Sequence, residues 1–562
     1  SLQPVAELNL PANAYFDLDK AGDLSYLYLK TQPLLKNSIQ VNFARLPDST
    51  PQSKGNNDTT WLSEDKEDLP VREASGGEIA NSLAVTGAAM RADEFVKLTG
   101  ATGRGQLVAV IDSGIDPGHP DLQKTSDGFA KLVDFIDLSN EGRVDLSRTV
   151  KTTDDFIRIE GKTIDVRGMH HTGEFAYGYL STSSFPEECG ESLPGTRILV
   201  LATVSTYFDQ YDTFYIDTDM DGEILDETPV TKYSDHNQVI SIPCQGGKTL
   251  NLVVSSFSLD EKYVKFGFDC LGHGTEVAGI IAACGEIKGV APGAQLLAVK
   301  VMNGSGDTSL DSLKEAVKIA AERGAGIAVI SMGQYQLSAE EQQNLAVLAK
   351  KLWDHYGMIL CLAAGNNGPG LGTVASTATT PYTISVGAYA TPEMWYNDYG
   401  WKVEKPTIWY FSSAGPAADG LTVPMVIAPG NVISTYPLWG DEKYRLDEGT
   451  SMAAPHVAGA AALLLDAVQH GLYRADNRAV YQALVYGAEP LPDFEPAEQG
   501  FGAINLMRAW EEIKNTHSDP GTLQVKQYSP EYGYGKGFYS RELKPGELTL
   551  EISNNSDNNN NN

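Results

Sequence analysis

Acyl transfer needs a hydroxyl to attack, an imidazole to take its proton, a buried carboxylate to hold the imidazole's tautomer, and an amide to meet the developing oxyanion. All four occur in this chain, each at the edge of an apolar run. Ser451 lies in EGTSMAAPHVAGAAALLL, where Gly449 and Thr450 bend the chain into a helix of small apolar residues. Its hydroxyl could simply cap that helix. A cap does not account for the Ala and Gly behind it, which let another backbone approach, nor for a helix N-terminus, which favours negative charge. Asp112 ends the apolar strand LVAVID, where a carboxylate is costly without a hydrogen-bonding partner. His273 stands in CLGHGTEVAGIIAA, a Gly-His-Gly turn opening a second small-residue helix. Asn366 follows the apolar run of GMILCLAAGNNGPG and can aim its amide at an oxyanion, with the Ser451 backbone N–H as second donor. Singly, each has a plain explanation as a turn or surface residue. Jointly they predict that Ser451 is a nucleophile.

Residues so far apart meet only if a scaffold brings strand ends together. QLVAVIDSG, GAQLLAVKVM, GIAVISMG, GMILCLAAGN and YTISVGAY are short apolar strands, with helical stretches such as SLDSLKEAVKIAAERG between them. That alternation predicts an α/β fold: a parallel sheet covered by helices on both faces, with functional groups beyond the strand C-termini. The alternation fails between Leu138 and about Phe266, where TRILVLATVSTY and TLNLVVSSFSL look antiparallel. The expected organisation is an N-terminal region and linker over 1–85, with a propeptide as one reading, then a catalytic domain over 86–140 and 265–513. A β-rich insertion occupies 141–264, and the start of a C-terminal β-domain with an Asn-rich tail occupies 514–562. The start at Ser1 suggests a trimmed product.

Composition narrows the partners. At 562 residues the chain exceeds one compact core. With 42 Lys+Arg against 73 Asp+Glu the net charge is −31, which disfavours nucleic acid and anionic membrane surfaces. No apolar run reads as a membrane span. Five cysteines without CxxC spacing argue against a disulfide framework or a zinc site; Cys189 and Cys244 could pair, but spacing cannot show it.

The order Asp, His, Ser is that of the subtilisins, and VAVIDSGIDPGHPDL, GHGTEVAG, SMG, AAGNNGPG and GTSMAAPHVAGAAALL resemble that family closely from about Gly105 to Trp510. The resemblance implies a subtilisin-like serine peptidase acting on polypeptide substrates, with Asp112, His273 and Ser451 as triad, Asn366 as oxyanion donor and no cofactor for catalysis. Gly304, Ser305 and Gly306, with Ser331, Met332 and Gly333, match segments that in the family pair with the substrate backbone as strands. GNNGPGLGTV, SVGAYATPEM and FSSAGPAADG resemble the tripeptidyl-peptidase II branch, as does the long Asp–His gap. Exopeptidase action there depends on carboxylates that hold a free N-terminus. Here the position after Gly333 is Gln334, and a neutral amide cannot neutralise an ammonium, so endopeptidase action is expected. Tripeptide release and an inactive peptide-binding scaffold are the alternatives. The segment after Asn366 should line the pocket for the residue before the scissile bond, with Ala375 leaving room for a large apolar side chain.

A structural Ca2+ is the one ion anticipated. DTDMDGEILDE places Asp217, Asp219 and Asp221 as in an EF-hand loop, with Thr228 where the closing glutamate belongs and Asp226 or Glu227 as substitutes. A solvated acidic turn is the alternative. Acidity, the Asn-rich tail and this loop point to a secreted or cell-surface protein, although the odd cysteines also fit a cytoplasm. Nothing in the sequence sets an oligomeric state.

Overall fold

The computed structural model describes residues 76–515 except 205–210, 259, 472 and 474, and outside that range the strands Asn37–Phe43, Leu523–Ser529, Gly533–Gly535 and Gly546–Asn554. The polar stretch 48–70 and the tail 555–562 lie outside the described residues. Two compact units divide the chain: 1–75, 416–422 and 516–562 form one, and 76–415 with 423–515 the other. In the first unit the four strands above make one antiparallel sheet, with Val41 opposite Leu548 and Lys526 opposite Glu551. A strand from the segment read as an N-terminal region thus pairs with one from the segment read as a C-terminal domain.

The second unit is built on an eight-stranded sheet. Its strands are β1 (Leu107–Asp112), β2 (Leu132–Asp137), β3 (Gln295–Lys300), β4 (Ile327–Ile330), β5 (Ile359–Ala363), β6 (Ile384–Ala390), β7 (Thr407–Ile408) and β8 (Val426–Pro429). They run β7-β6-β5-β4-β1-β3-β2, with β8 also on β6, and every pairing is parallel except β7 on β6. Alternate side chains serve opposite faces. Val108, Val110, Leu296, Ala298, Ile327 and Val329 pack with the helices His273–Ala282 and Thr450–His470. Ala109, Ile111, Leu297, Val299, Ala328 and Ile330 pack with Leu310–Glu322 and with Leu352 of Ala339–Tyr356. Burial on both faces is why these strands read as continuous apolar runs.

The Thr450–His470 helix corrects one expectation. It is long and apolar enough to cross a membrane, with a mean hydropathy of 1.4, yet 94% of that window is buried inside the protein. It is the central core helix of this sheet. The boundary read at residue 85 falls inside the helix Gly76–Ala89. That helix is built into the second unit: Leu83 is buried, Ser82 Oγ accepts from the Ile433 N–H at 2.9 Å, and Thr86 Oγ1 lies 2.9 Å from His456 Nε2.

Between β2 and the His273 helix stand two antiparallel four-stranded sheets and the hairpin Phe156–Ile159/Lys162–Asp165. One sheet runs Tyr211–Ile216, Arg197–Val204, Glu174–Ser181, Arg148–Lys151; the other runs Ile240–Pro243, Thr249–Ser258, Tyr263–Gly267, Arg143–Asp145. Val144, Ile198, Leu252 and Phe266 share a core there, and Cys189 and Cys244 form a disulfide with Cα atoms 5.2 Å apart.

Candidate active site

The strand order reverses around β1, whose neighbours β3 and β4 lead their chains away on either side. Such a switch point opens a crevice beyond the strand C-termini. Register aligns those ends: Lys300 lies opposite Asp112, Ile330 opposite Ile111, and Leu362 opposite Ile330. The chain therefore leaves β1, β4 and β5 into one cleft, carrying Asp112, Ser331 and Asn366.

Asp112 is fully buried, and its Oδ1 accepts from the Ser113 N–H and meets His273 Nδ1, each at 2.7 Å. A turn from Phe268 to Thr275 presents His273, and Asp269, buried beneath it, holds that turn. Its Oδ1 accepts from Ser113 Oγ at 2.8 Å and from the N–H groups of Leu271 and Gly272 at 3.1 and 2.9 Å. Its Oδ2 accepts from Thr275 N–H at 3.0 Å and from Thr275 Oγ1 at 2.5 Å. Gly274 is required by close approach, since a Cβ there would overlap the Gly114 carbonyl oxygen. The His273 side chain stays 25% exposed, so one ring nitrogen faces Asp112 and the ring remains reachable. Burial opposes the imidazolium, but the charge and hydrogen bond of Asp112 outweigh it, Glu276 and Asp447 add to the pull, and His273 is raised to about 9.

Ser451 is in the first turn of its helix. Its Oγ donates to the Ser331 carbonyl at 2.7 Å, and Ser331 Oγ donates back to the Ser451 carbonyl at 2.9 Å. That carbonyl is available because Pro455, four residues on, has no N–H to give it. No hydrogen bond joins Ser451 to His273 among the described residues. The hydroxyl is instead bonded to the Ser331 carbonyl, and catalytic hydrogen bonds commonly tighten only when substrate is present.

Asn366 is oriented by Thr450. Its Oδ1 accepts from the Thr450 N–H at 3.0 Å and from Thr450 Oγ1 at 2.8 Å, so Nδ2 is left to point away. Thr450 Oγ1 also accepts from Gly365 N–H at 3.0 Å, fastening the β5 loop to the helix start. The Ser451 N–H is an orphan donor of the first turn. A Cβ on Gly449 would lie 3.3 Å from Asn366 Nδ2 and 3.5 Å from the Ser451 nitrogen. Two donors therefore converge on space that Gly449 leaves open.

The expected substrate segments differ from one another. Met332 and Gly333 make no backbone hydrogen bond among the described residues and can pair with an extended chain. Gly304, Ser305 and Gly306 are a closed turn rather than a strand. Gly304 N–H donates to Glu141 Oε1 at 2.7 Å, Ser305 N–H to Asn303 Oδ1 at 3.0 Å, and Gly306 N–H to the Asn303 carbonyl at 2.9 Å. Asn303 folds the segment on itself, an Asx turn that strand patterning does not register. Ala375 is fully buried behind Gly333, where a Cβ would meet its own, so it lines no open pocket. Gln334 Nε2 donates to the Thr308 carbonyl at 3.0 Å.

Away from the cleft, Asp217, Asp219 and Asp221 bring ligand oxygens within 4.8 Å of one another. Burial and its two neighbours raise Asp217 above the usual carboxylate range, as expected where a cation would be welcome. Asp226 is not in that group, and Glu227 Oε1 turns back to Thr218, accepting from its N–H at 2.5 Å and its Oγ1 at 2.9 Å. Those two substitutes are therefore corrected: the loop closes on itself through Glu227. Asp121 accepts from the N–H groups of Glu286 and Ile287 and from Tyr444 Oη at 2.8–3.1 Å. Asp269 and Thr450 escaped the sequence reading. The only signal for Asp269 was a carboxylate just ahead of a Gly-His-Gly helix start.

Residues 103–535 match the model of the Subtilase family. The chain is 29% identical over 560 residues to pyrolysin of Pyrococcus furiosus, covering 82% of this chain and 39% of that protein. It is 28% identical over 539 residues to tripeptidyl-peptidase 2 of Oryza sativa, covering 80% of this chain and 39% of that one. Among solved structures, the crystal structure of tripeptidyl peptidase 2 superposes with a TM-score of 0.62 at 20% identity, over 78% of this chain and 39% of the other. The chain thus spans about two fifths of the length of these relatives.

Proposed function

We propose that this chain, which belongs to the Subtilase family of serine peptidases, hydrolyses bonds inside polypeptides through an acyl-enzyme on Ser451. The observation that carries the residue assignment is the 2.7 Å contact of His273 with buried Asp112, beside a helix start bearing Ser451 and the Asn366 amide. His273 Nε2 takes the Ser451 proton as Oγ attacks the carbonyl carbon. Asp112 holds the ring's tautomer and stabilises the imidazolium. The oxyanion enters the space over Gly449 between Asn366 Nδ2 and the Ser451 N–H. His273 then gives its proton to the departing amine; water, deprotonated by the same ring, attacks the acyl carbon, and the imidazolium returns that proton to Ser451 Oγ as its ester bond breaks.

Action within chains is favoured by Gln334. A free substrate ammonium needs a carboxylate, and the side chain following Met332 and Gly333 is a neutral amide already bonded to Thr308. The name of one of the relatives, tripeptidyl-peptidase 2, favours the other reading, release of tripeptides. Cleavage of a long peptide with and without N-terminal acetylation separates the two. Equal internal cleavage of both forms is expected; loss of cleavage on acetylation would establish the tripeptidyl reading instead.

A structural Ca2+ is proposed at Asp217, Asp219 and Asp221, whose hard oxygen donors suit it. Added Ca2+ should raise the melting temperature, and Asp219→Asn should abolish the rise. An unchanged melting temperature would leave the loop an acidic turn.

A further inference from the structure

The neighbouring strands β4 and β5 end in register, and the segments that leave them, Ser331–Gly333 and Ala364–Asn366, flank Ser451 from two sides. In the proposed acyl-enzyme the attacked carbon is bonded to Ser451 Oγ and its oxygen lies at Asn366 Nδ2. The side chain of the residue before the scissile bond therefore starts over the gap between these two segments. The floor of that gap is closed. Ala375 is fully buried, its N–H donates to the Ala364 carbonyl at 2.8 Å, and a Cβ on Gly333 would stand 2.5 Å from the Ala375 Cβ.

The gap is also crossed. Tyr335, two residues past Gly333, reaches from the β4 side to the β5 side. A Cβ on Gly365, the residue before Asn366, would overlap the Tyr335 phenol oxygen and stand 3.2 Å from its Cζ. Gly365 itself is fixed, donating to Thr450 Oγ1 at 3.0 Å and accepting from the Ser413 N–H at 2.9 Å. The loop that carries the tyrosine is fixed as well. Gln334 N–H donates to Thr377 Oγ1 at 3.3 Å and Leu337 N–H to Ser376 Oγ at 3.4 Å, while Gln336 turns the chain at a φ of 64°, in the left-handed region. Tyr335 is 40% exposed, and among the described residues its ring stacks on no other and its hydroxyl has no hydrogen bond. Neither stacking nor hydrogen bonding gives this phenol a part in the fold.

We propose that Tyr335 sets specificity: its ring takes up the space for the side chain before the scissile bond and limits that residue to a small one, such as Ala or Ser. Exclusion is by clash, since a larger side chain needs the volume that the ring holds between two anchored segments. The inference rests on the peptidase reading above, and it reverses the expectation of room for a large apolar side chain.

The test uses three peptides identical except for Ala, Leu or Phe before the scissile bond, with kcat/KM for that bond compared within each enzyme form. In the wild type Ala should exceed Phe by about tenfold or more, with Leu between. Tyr335→Ala should lower the Ala-to-Phe ratio by about tenfold or more, and Tyr335→Leu should lower it in part. Tyr335→Phe, which keeps the ring and loses the hydroxyl, should leave it unchanged. Because the ratio is internal to each variant, a general loss of rate does not disturb it, and Tyr335→Leu carries the comparison if Tyr335→Ala is inactive. Equal cleavage of Ala and Phe peptides by the wild type, or an undiminished ratio in the Ala and Leu variants, overturns the pocket assignment and leaves the peptidase reading intact. So does cleavage of none of the three by a wild type that a fluorophosphonate still labels at Ser451. Absence of both cleavage and labelling overturns both.

Discussion

Gly449 contributes by what it lacks. Its φ of 164° is extended backbone open to any residue, so its role is steric: a methyl group there would stand 3.3 Å from Asn366 Nδ2 and 3.5 Å from the Ser451 nitrogen. Gly449→Ala should lower kcat about 10²-fold with little change in KM, comparable to losing one oxyanion donor in a subtilisin; unchanged kcat would move the oxyanion elsewhere. In the proposed mechanism His273 carries the pH dependence. A general base must be neutral, and its resting value is raised to about 9, so kcat/KM should climb with pH through that region rather than level off near the ordinary 6.5. The sign for stability is opposite: a raised folded value stabilises fully below 6.5, and that contribution is lost as pH rises through about 9. A profile flat above pH 7 would show that burial cancels the pull of Asp112, Glu276 and Asp447 on the imidazole. Strand-end Asp112 and Asn366 were legible because a polar residue closing an apolar run is conspicuous. Thr450 was not, since its partner Asn366 is 84 residues away.

At the scale of elements, the continuous apolar strands predicted the parallel sheet, because double-sided burial leaves no polar alternation to misread. Turns were less legible. Asn303 closes Gly304–Gly306 through its side chain, and Asp269 gathers the His273 turn with Ser113, a partner 156 residues distant. Removing that carboxylate leaves the N–H groups of Leu271, Gly272 and Thr275 without acceptors in a buried turn. Asp269→Ala should cost about 3 kcal/mol or more in urea unfolding, since each orphaned buried donor carries its own desolvation penalty. A loss under about 1 kcal/mol would show that the turn stands without it.

For the whole molecule, the antiparallel character of the insertion was readable from its composition, but not the bridge between Cys189 and Cys244 that ties two of its segments 55 residues apart. Cysteine spacing is silent about proximity. Denatured, unreduced protein should titrate with three thiols, from Cys270, Cys284 and Cys361, and reduction should cost roughly 2–4 kcal/mol of stability; five titrating thiols would contradict the bridge. The sheet joining Asn37–Phe43 to Gly546–Asn554 was equally beyond the sequence, because strand pattern does not name its partner. What holds the account together is one centre assembled from three remote segments, and covalent labelling tests it most directly. A fluorophosphonate should add once to the intact chain, at Ser451 in the mapped peptide, with no adduct in Ser451→Ala and strongly slowed addition in His273→Ala. Equal labelling of wild type and Ser451→Ala would contradict it.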